Sequence, residues 1–550
     1  MAGVISLPSQ PPPQTPPPPP PRSPPIPCES IEKVDYDVDY FTRLSRRIQD
    51  GFKDDIDREV FTKTILQQTR GLELKLSGHK YPSTCIQWVI ENTTDCAIIK
   101  SLALAFYPKG LDPNCLTNQH TSRVVQLLLE AALKILSNEF TFNGHKAEEP
   151  TRHGKWTEQF IAGYSQFILI HMDKMLADGN GTHVMITVIE ALGGVRIGRH
   201  WSRKTIGFAL KSSINTELEK DNVIAELPVS FTKLLIKMAK HLIVIRPDRD
   251  LKEIILGRGT TLIQNLLFIL KVRIPEICQY SVKRLVYIIF STEENKFAIT
   301  TNSASAYLVE AIMLVCSQHR LTQLWDRYLK GKLMEMWKDD IANFVVQRLI
   351  DAVQDINLFK GICDEIFPEL RNVFSYNRAG IGVCLAKASI RFTSMQEPFI
   401  NALMRAFNCE DKQDLLVPLM LFGDSKHRRS LWLHGSLMLQ YIFRYEDPYK
   451  VSKSLLSLEP QRLFDIYSDK SGSHVIDCFL KSDNVTEKLK AQFNEKIKSY
   501  SIEEFPFTGR RSYSRFSRSP RRNGVNYIRR SSRSRSRSPP SKRMVSPRRR

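Results

Sequence analysis

From about Val34 to Pro506, apolar residues recur at steps of three and four, as in Val124 to Leu136 (VVQLLLEAALKIL) and Phe344 to Val353 (FVVQRLIDAV). That spacing is the period of an amphipathic helix, and alternating strand patterns are scarce. A helical region of this length without long polar linkers predicts a solenoid, because a single core stops growing at roughly 250–300 residues. The expected fold is therefore all-α, with one helical repeat array over residues 31–505.

A short pattern recurs inside the array: a turn residue, a small polar residue, a side chain able to stack, two aliphatics and a polar residue, followed by an apolar helical run. Its copies start at Pro82, Thr121, Gly181, Gly259, Ser305, Ala342, Gly380, Gly435 and Gly472. Counted at the second residue, the intervals are 39, 60, 78, 46, 37, 38, 55 and 37 residues. They cluster near 37–39; the 60 and 55 predict insertions, around Gly144–Trp156 and Cys409–Arg429, and the 78 predicts a decayed copy between Arg199 and Ile245. In the clearest copy, Asn343 and Gln347 lie at i and i+4 on one helix face with Phe344 beside them. The two aliphatics between turn inward, so three side chains point out together. Helices stacked side by side would align such triplets on one concave surface, which suits an extended ligand built of flat units, as single-stranded RNA is.

The candidate RNA-binding residues are Ser83, Gln87, Ser122, Arg123, Gln126, Thr182, His183, Thr260, Gln264, Tyr307, Glu310, Asn343, Phe344, Gln347, Ser436, Gln440, Ser473, His474 and Asp477. Phe344, Tyr307, His183, His474 and Arg123 are the stacking platforms, each contributing on the order of 1–3 kcal/mol per base. Glu310 and Asp477 are acids at the reading position, where they would accept from a base amine. Ile186 and Leu385 at that position cannot hydrogen-bond a base. A helix N-terminus explains any one copy, since Ser or Thr after Gly caps well. It does not explain Gln at one fixed position in five copies, at Gln87, Gln126, Gln264, Gln347 and Gln440.

Charge changes the picture mainly at the ends. The 550 residues carry 79 Lys and Arg against 58 Asp and Glu, a net +21. Sixteen of those cations and no acid lie between Arg510 and Arg550, which leaves about +5 on the remainder. Residues 506–550, with an Arg-Ser alternation from Ser532 to Ser538, show no apolar periodicity and are expected to be disordered. They are similar to the RS tails of nuclear RNA-processing proteins, and eleven serines between Ser512 and Ser546 could each gain about −1.5 to −2 charges on phosphorylation. Residues 1–30, with PPPQTPPPPPPRSPPIP, are expected to be a Pro-rich disordered segment that favours polyproline II. No run approaches a membrane span and no secretory leader is apparent, so a soluble intracellular protein is the expectation. The 10 cysteines show no metal or redox spacing and read mostly as reduced, buried thiols.

The triplets resemble Pumilio repeats, in which two side chains hydrogen-bond a base edge and a third stacks between bases. Asn343 with Gln347 and Phe344 is similar to the family's uracil-type triplet, and Ser122 with Gln126 and Arg123 to an adenine-leaning one. More narrowly, Gly181 to Gly194 (GTHVMITVIEALGG) and Asp469 to Asp477 (DKSGSHVID) resemble the nucleolar protein 9 branch of the Pumilio-like proteins. That resemblance implies a curved solenoid of about ten repeats. It also implies a nuclear, nucleolar location, single-stranded RNA as ligand and a role in processing small-subunit ribosomal RNA precursors. No cofactor or metal is implied; pre-ribosomal proteins are conceivable partners and a monomer is the expected state.

No HExxH, Walker A, GxSxG or dinucleotide motif is present, so no enzyme is expected. Two other readings stay open at this level: a nuclear messenger-RNA regulator of splicing or translation, which the RS tail favours, and a protein-binding helical scaffold.

Overall fold

The computed structural model describes residues 36–93, 95–141, 152–194, 227–290, 302–423 and 431–504. Among them every regular element is helical. Ten helices form a row in which each packs on the next: α1 (Val38–Asp50), α2 (Lys80–Asn92), α3 (Gln119–Thr141), α4 (Gly179–Gly193), α5 (Thr260–Arg273), α6 (Ser303–Val315), α7 (Ala342–Ala352), α8 (Gly380–Arg391), α9 (Leu433–Ile442) and α10 (Gly472–Lys481). Nine of these, α2 to α10, carry the sequence triplets. The chain folds as the all-α solenoid expected of it. The assignments for residues 1–30 and 506–550 lie outside the described residues.

Local sequence explains why these helices start where they do. An Asp or Asn four residues before the first reading position caps five of them. Asn118 Oδ1 accepts from the His120 and Thr121 amides, Asp178 from Asn180 and Gly181, Asn302 from Ala304 and Ser305, Asp339 from Ile341 and Ala342, and Asp469 from Ser471 and Gly472. Each cap contributes about 1 kcal/mol and, more importantly here, fixes which turn of the helix begins at the surface. The pairs of aliphatics inside the triplets, such as Val124–Val125, Val345–Val346 and Val475–Ile476, are fully buried. They lock the rotation of each helix and so fix which side of it faces outward.

The second layer consists of helices such as Val229–Ala239 and Pro275–Phe290, which follow row helices and pack on them, and Ile356–Ile366, which packs on Leu333–Lys338. Large side chains tie the layers together. Tyr164 and Tyr445 are buried and donate their hydroxyls to the carbonyls of Phe106 and Ala386 at 2.5 and 3.0 Å.

The 78-residue interval has a different cause from the one its length suggests. α4 packs directly on α5, so no repeat stands between them in the row. The contact is close: a Cβ on Gly193 would come within 2.5 Å of Ile269, and Arg273 Nε donates to the Gly193 carbonyl at 2.7 Å. Gly194 then ends α4 in the left-handed conformation, φ 57°, and the chain leaves the row there. Part of the proposed decayed copy, residues 199–226, lies outside the described residues; its remainder forms the second-layer helix Val229–Ala239 and the turn after it. Of the two predicted insertions, residues 142–151 and 424–430 are outside the described residues, while 413–422 form a short helical turn and the helix Leu416–Phe422.

Among the described residues no single helix is long and apolar enough to cross a membrane. The bent pair Asp248–Leu256 and Thr260–Arg273 has the composition, but the apolar side chains of Thr260–Arg273 are the packed core of α5.

Candidate nucleic-acid interface

In eight of the nine copies the residue at the stacking position is partly or fully exposed; the seventh, Gly382, is buried. The stacking members Phe344 (51% exposed), Tyr307 (39%), His183 and His474 stand open to solvent, flanked by buried aliphatics. Arg123 is half-buried and tethered, with Nη1 3.3 Å from Gln126 Oε1 and 3.9 Å from Glu130 Oε1. The expected stack-competent side chains are thus presented together.

The first reading positions behave differently from the expectation. Ser83, Ser122, Thr182, Thr260, Asn343 and Ser436 are buried. Their donors turn back to the backbone: Ser83 Oγ to the Lys80 carbonyl, Ser122 to Gln119, Thr182 to Asp178, Thr260 to Ile255, and Ser436 to Ser471 in the next repeat. Ser473, less buried, likewise donates to Lys470. Asn343 Nδ2 donates to both the Asp339 and Asp340 carbonyls. These side chains fasten the first helical turn, and what they retain toward a ligand is lone pairs. Within the best copies the fifth residue is linked to the first: Gln347 Nε2 donates to Asn343 Oδ1 at 3.0 Å, and Gln440 Nε2 to Ser436 Oγ at 3.2 Å. In these two copies the hydrogen bond fixes the amide of the fifth-position Gln against the first helical turn. Gln87 and Gln126 stand at the same place, partly exposed, whereas Gln264 is 5% exposed and sits within the α5 seam.

Glu310 departs furthest from the sequence expectation. It is buried, and Arg348 of the following helix reaches it at 3.4 Å while also meeting Asp351 at 3.5 Å. Burial pushes its carboxyl up and Arg348 pulls it back. This acid is a structural partner of the next repeat, not a free acceptor for a base amine. Asp477 stays open and pairs only loosely with Lys481, 3.6 Å away on its own helix.

The seventh copy needs a shift of register. In most of the other helices the stacking residue and the residues three and seven beyond it are the less buried ones, as with Phe344, Gln347 and Asp351, the buried Gln264 and Glu310 being the exceptions. In α8 that set is Gly380, Val383 and Lys387, while Ile381, Gly382, Leu385 and Ala386 are buried. The reading positions there are Ala379, Gly380 and Val383, two residues earlier than the Gly-Ile-Gly string suggests. None of the three can read a base. Gly380 is also where Gln347 comes to lie, since a Cβ added there would be 2.7 Å from Gln347 Oε1.

One row was not singled out from the sequence. Seven residues past each stacking position, about two turns along the same face, stand Glu91, Glu130, Glu190, Phe268, Leu314, Asp351, Lys387, Arg444 and Lys481. Its signal was a seven-residue offset from the triplets. Burial, reinforced by Glu130, pushes the Glu190 carboxyl up to about 8.

Residues 71–502 match the family model described as the NOP9-like PUF repeat domain. The chain belongs to the NOP9-like PUF repeat family. Among curated relatives, human Nucleolar protein 9 is 23% identical over 379 residues, covering 63% of this chain and 59% of that protein. Pumilio homolog 23 of Arabidopsis thaliana is 22% identical over 501 residues, covering 83% of this chain and 63% of the relative. The chain thus spans about three fifths of the length of these relatives. Among solved structures, that of APUM23-GGAUUUGACGG superposes with a TM-score of 0.67 at 19% identity, covering 84% of this chain and 86% of the other, a likeness of fold.

Proposed function

We propose that this chain binds single-stranded RNA across the face formed by α2 to α10, that it resides in the nucleolus, and that it acts in processing ribosomal RNA precursors of the small subunit. The observation that carries the binding part is the common outward register of the stacking side chains Arg123, His183, Tyr307, Phe344 and His474 with the partly exposed amides of Gln87, Gln126, Gln347 and Gln440. The cellular part is supported by kinship: relatives carry the name Nucleolar protein 9, and a neighbour of the same fold was solved as APUM23-GGAUUUGACGG.

The geometry favours partial rather than full sequence reading. Copies two, six and eight (Ser122/Arg123/Gln126, Asn343/Phe344/Gln347 and Ser436/Leu437/Gln440) pair a donor-acceptor amide with a first-position acceptor. Copy seven offers Gly380 and Val383, and copy five has its acid committed to Arg348. Bases opposite those two repeats are passed over or held by shape. The reading assigns the chain no catalytic step; its chemistry is to hold and cover a strand.

The deciding experiment compares RNA binding by the full chain with a variant carrying Ser122→Ala, Arg123→Ala, Asn343→Ala, Phe344→Ala and Gln347→Ala, with circular dichroism confirming the fold of both. Loss of binding in the folded variant is expected. Equal binding would refute the face. In cells, crosslinking should recover small-subunit ribosomal RNA precursors and imaging should place the protein in nucleoli; messenger RNA with speckled staining would instead support the regulator suggested by the Arg-Ser tail.

A further inference from the structure

The residues two turns beyond the stacking positions change sign along the row. At the N-terminal end they are Glu91, Glu130 and Glu190, in the middle Phe268 and Leu314, and after Asp351 they become Lys387, Arg444 and Lys481. The cations lie on three successive helices, α8, α9 and α10, which pack side by side. Arg444, 5.9 Å from the Tyr441 ring, and Lys481, beside Asp477, are exposed, whereas Lys387 is partly buried, 27% exposed, with Nζ 3.4 Å from Asp351 Oδ1. Asp351 also meets Arg348 at 3.5 Å. At the other end no cation occupies the row. Glu190 holds its proton at neutral pH, so the negative charge there lies on Glu91 and Glu130, the latter partly met by Arg123.

We infer that Lys387, Arg444 and Lys481 form a phosphate-contacting strip beside the reading face of α8 to α10, and that an RNA strand is held there by its backbone, while toward α2 to α4 it is held by its bases. This rests on the RNA-binding reading above and deepens it. The division is complementary to what each repeat can read. α8 has no base-reading side chain, and α9 stacks only with Leu437. The three cations thus begin at α8, the repeat with no base-reading side chain, and continue along α9 and α10, where Gln440, His474 and Asp477 remain as base contacts. Two of the reading residues with the strongest hydrogen-bonding set near the N-terminal end, Arg123 and Gln126, face a row that carries no cation.

Counterion release makes the inference measurable. For single-stranded RNA, each neutralised phosphate contributes about 0.7 to the slope of log affinity against log salt, so three contacts account for a slope of about 2. The experiment uses the full chain and a labelled random-sequence single-stranded RNA pool, with affinity measured from about 50 to 200 mM salt. One variant carries Lys387→Gln, Arg444→Gln and Lys481→Gln. A charge-matched control carries Lys233→Gln, Lys283→Gln and Lys360→Gln, exposed on second-layer helices. The Arg-Ser tail is common to all three proteins and its contribution cancels in the differences. The expected result is a slope reduced by about 2 in the first variant, with affinity at the low-salt end lowered roughly 20-fold more than at the high-salt end, and little change in the control. Equal slopes in the two variants would overturn the strip. Absence of RNA binding by the unmodified chain at every salt would instead refute the RNA-binding reading itself, and circular dichroism separates both from misfolding.

Discussion

Glu190 offers the most quantitative test of how the inner face is built. It lies on α4, largely buried, with Glu130 of α3 as its charged neighbour, and its carboxyl titrates near 8 against an ordinary value of 4.5. A carboxyl raised in the folded state keeps a proton that the unfolded chain releases between about pH 4.5 and 8. Its contribution is therefore harmless at pH 5 and increasingly unfavourable as pH rises through that window, levelling off above 8. At about 1.4 kcal/mol per unit, the full shift corresponds to roughly 5 kcal/mol, an upper bound because the side chain keeps some contact with water. Glu190→Gln replaces the acid by a neutral group of the same shape. The variant should match the parent near pH 5 and exceed it by about 3–5 kcal/mol at pH 8.5, read from urea unfolding midpoints monitored by circular dichroism across that range. Parallel stability curves for the two proteins over the whole range would refute the reasoning, since they would mean that Glu190 is solvated or paired in the folded state. A Glu130→Gln change should narrow the gap by removing the nearest like charge.

Three further outcomes follow from particular contacts. Arg348→Met leaves Glu310 and Asp351 without their shared cation and should cost about 3–5 kcal/mol in urea unfolding, whereas Arg348→Met combined with Glu310→Gln should recover part of it. Phe344→Ala should weaken RNA binding by about 1–3 kcal/mol in a fluorescence titration while leaving the unfolding midpoint nearly unchanged, because the ring is half exposed. Gly435→Ala should lower the melting temperature by several degrees in a thermal scan, because its Cβ would fall 1.8 Å from the Met420 carbonyl oxygen, a backbone atom that cannot move alone.

The helical period and the recurring triplet made the row legible in advance, because packing fixes helix rotation through the buried aliphatic pairs and these are local in sequence. The outward placement of Phe344, Tyr307, His183 and His474 was legible for the same reason. What escaped depended on contacts between repeats. Glu310 looked like a free acceptor because its partner, Arg348, lies one repeat away. The register of α8 was misplaced because Gly380-Ile381-Gly382 imitates the turn-plus-small-residue start, and only burial shows that Gly380 is the open position. The backbone engagement of Ser122 or Thr182 is ordinary helix-start chemistry, and the Asp or Asn four residues earlier was a readable cap that would have predicted it for four of the copies, at Ser122, Thr182, Asn343 and Ser473.

The α4–α5 contact has a bearing on how the molecule assembles. Elsewhere in the row, neighbouring helices are separated by one short excursion of chain, so each repeat can close on the last with little loss of entropy. At this seam the partners are much further apart along the chain, although a Cβ on Gly193 would come 2.5 Å from Ile269. The array is therefore two locally wired halves, one ending at Gly193 and one beginning in earnest at Thr260, and their docking is the least local step in building it. A chain severed between them would leave each half with its own repeats and a ready-made mating surface for the other.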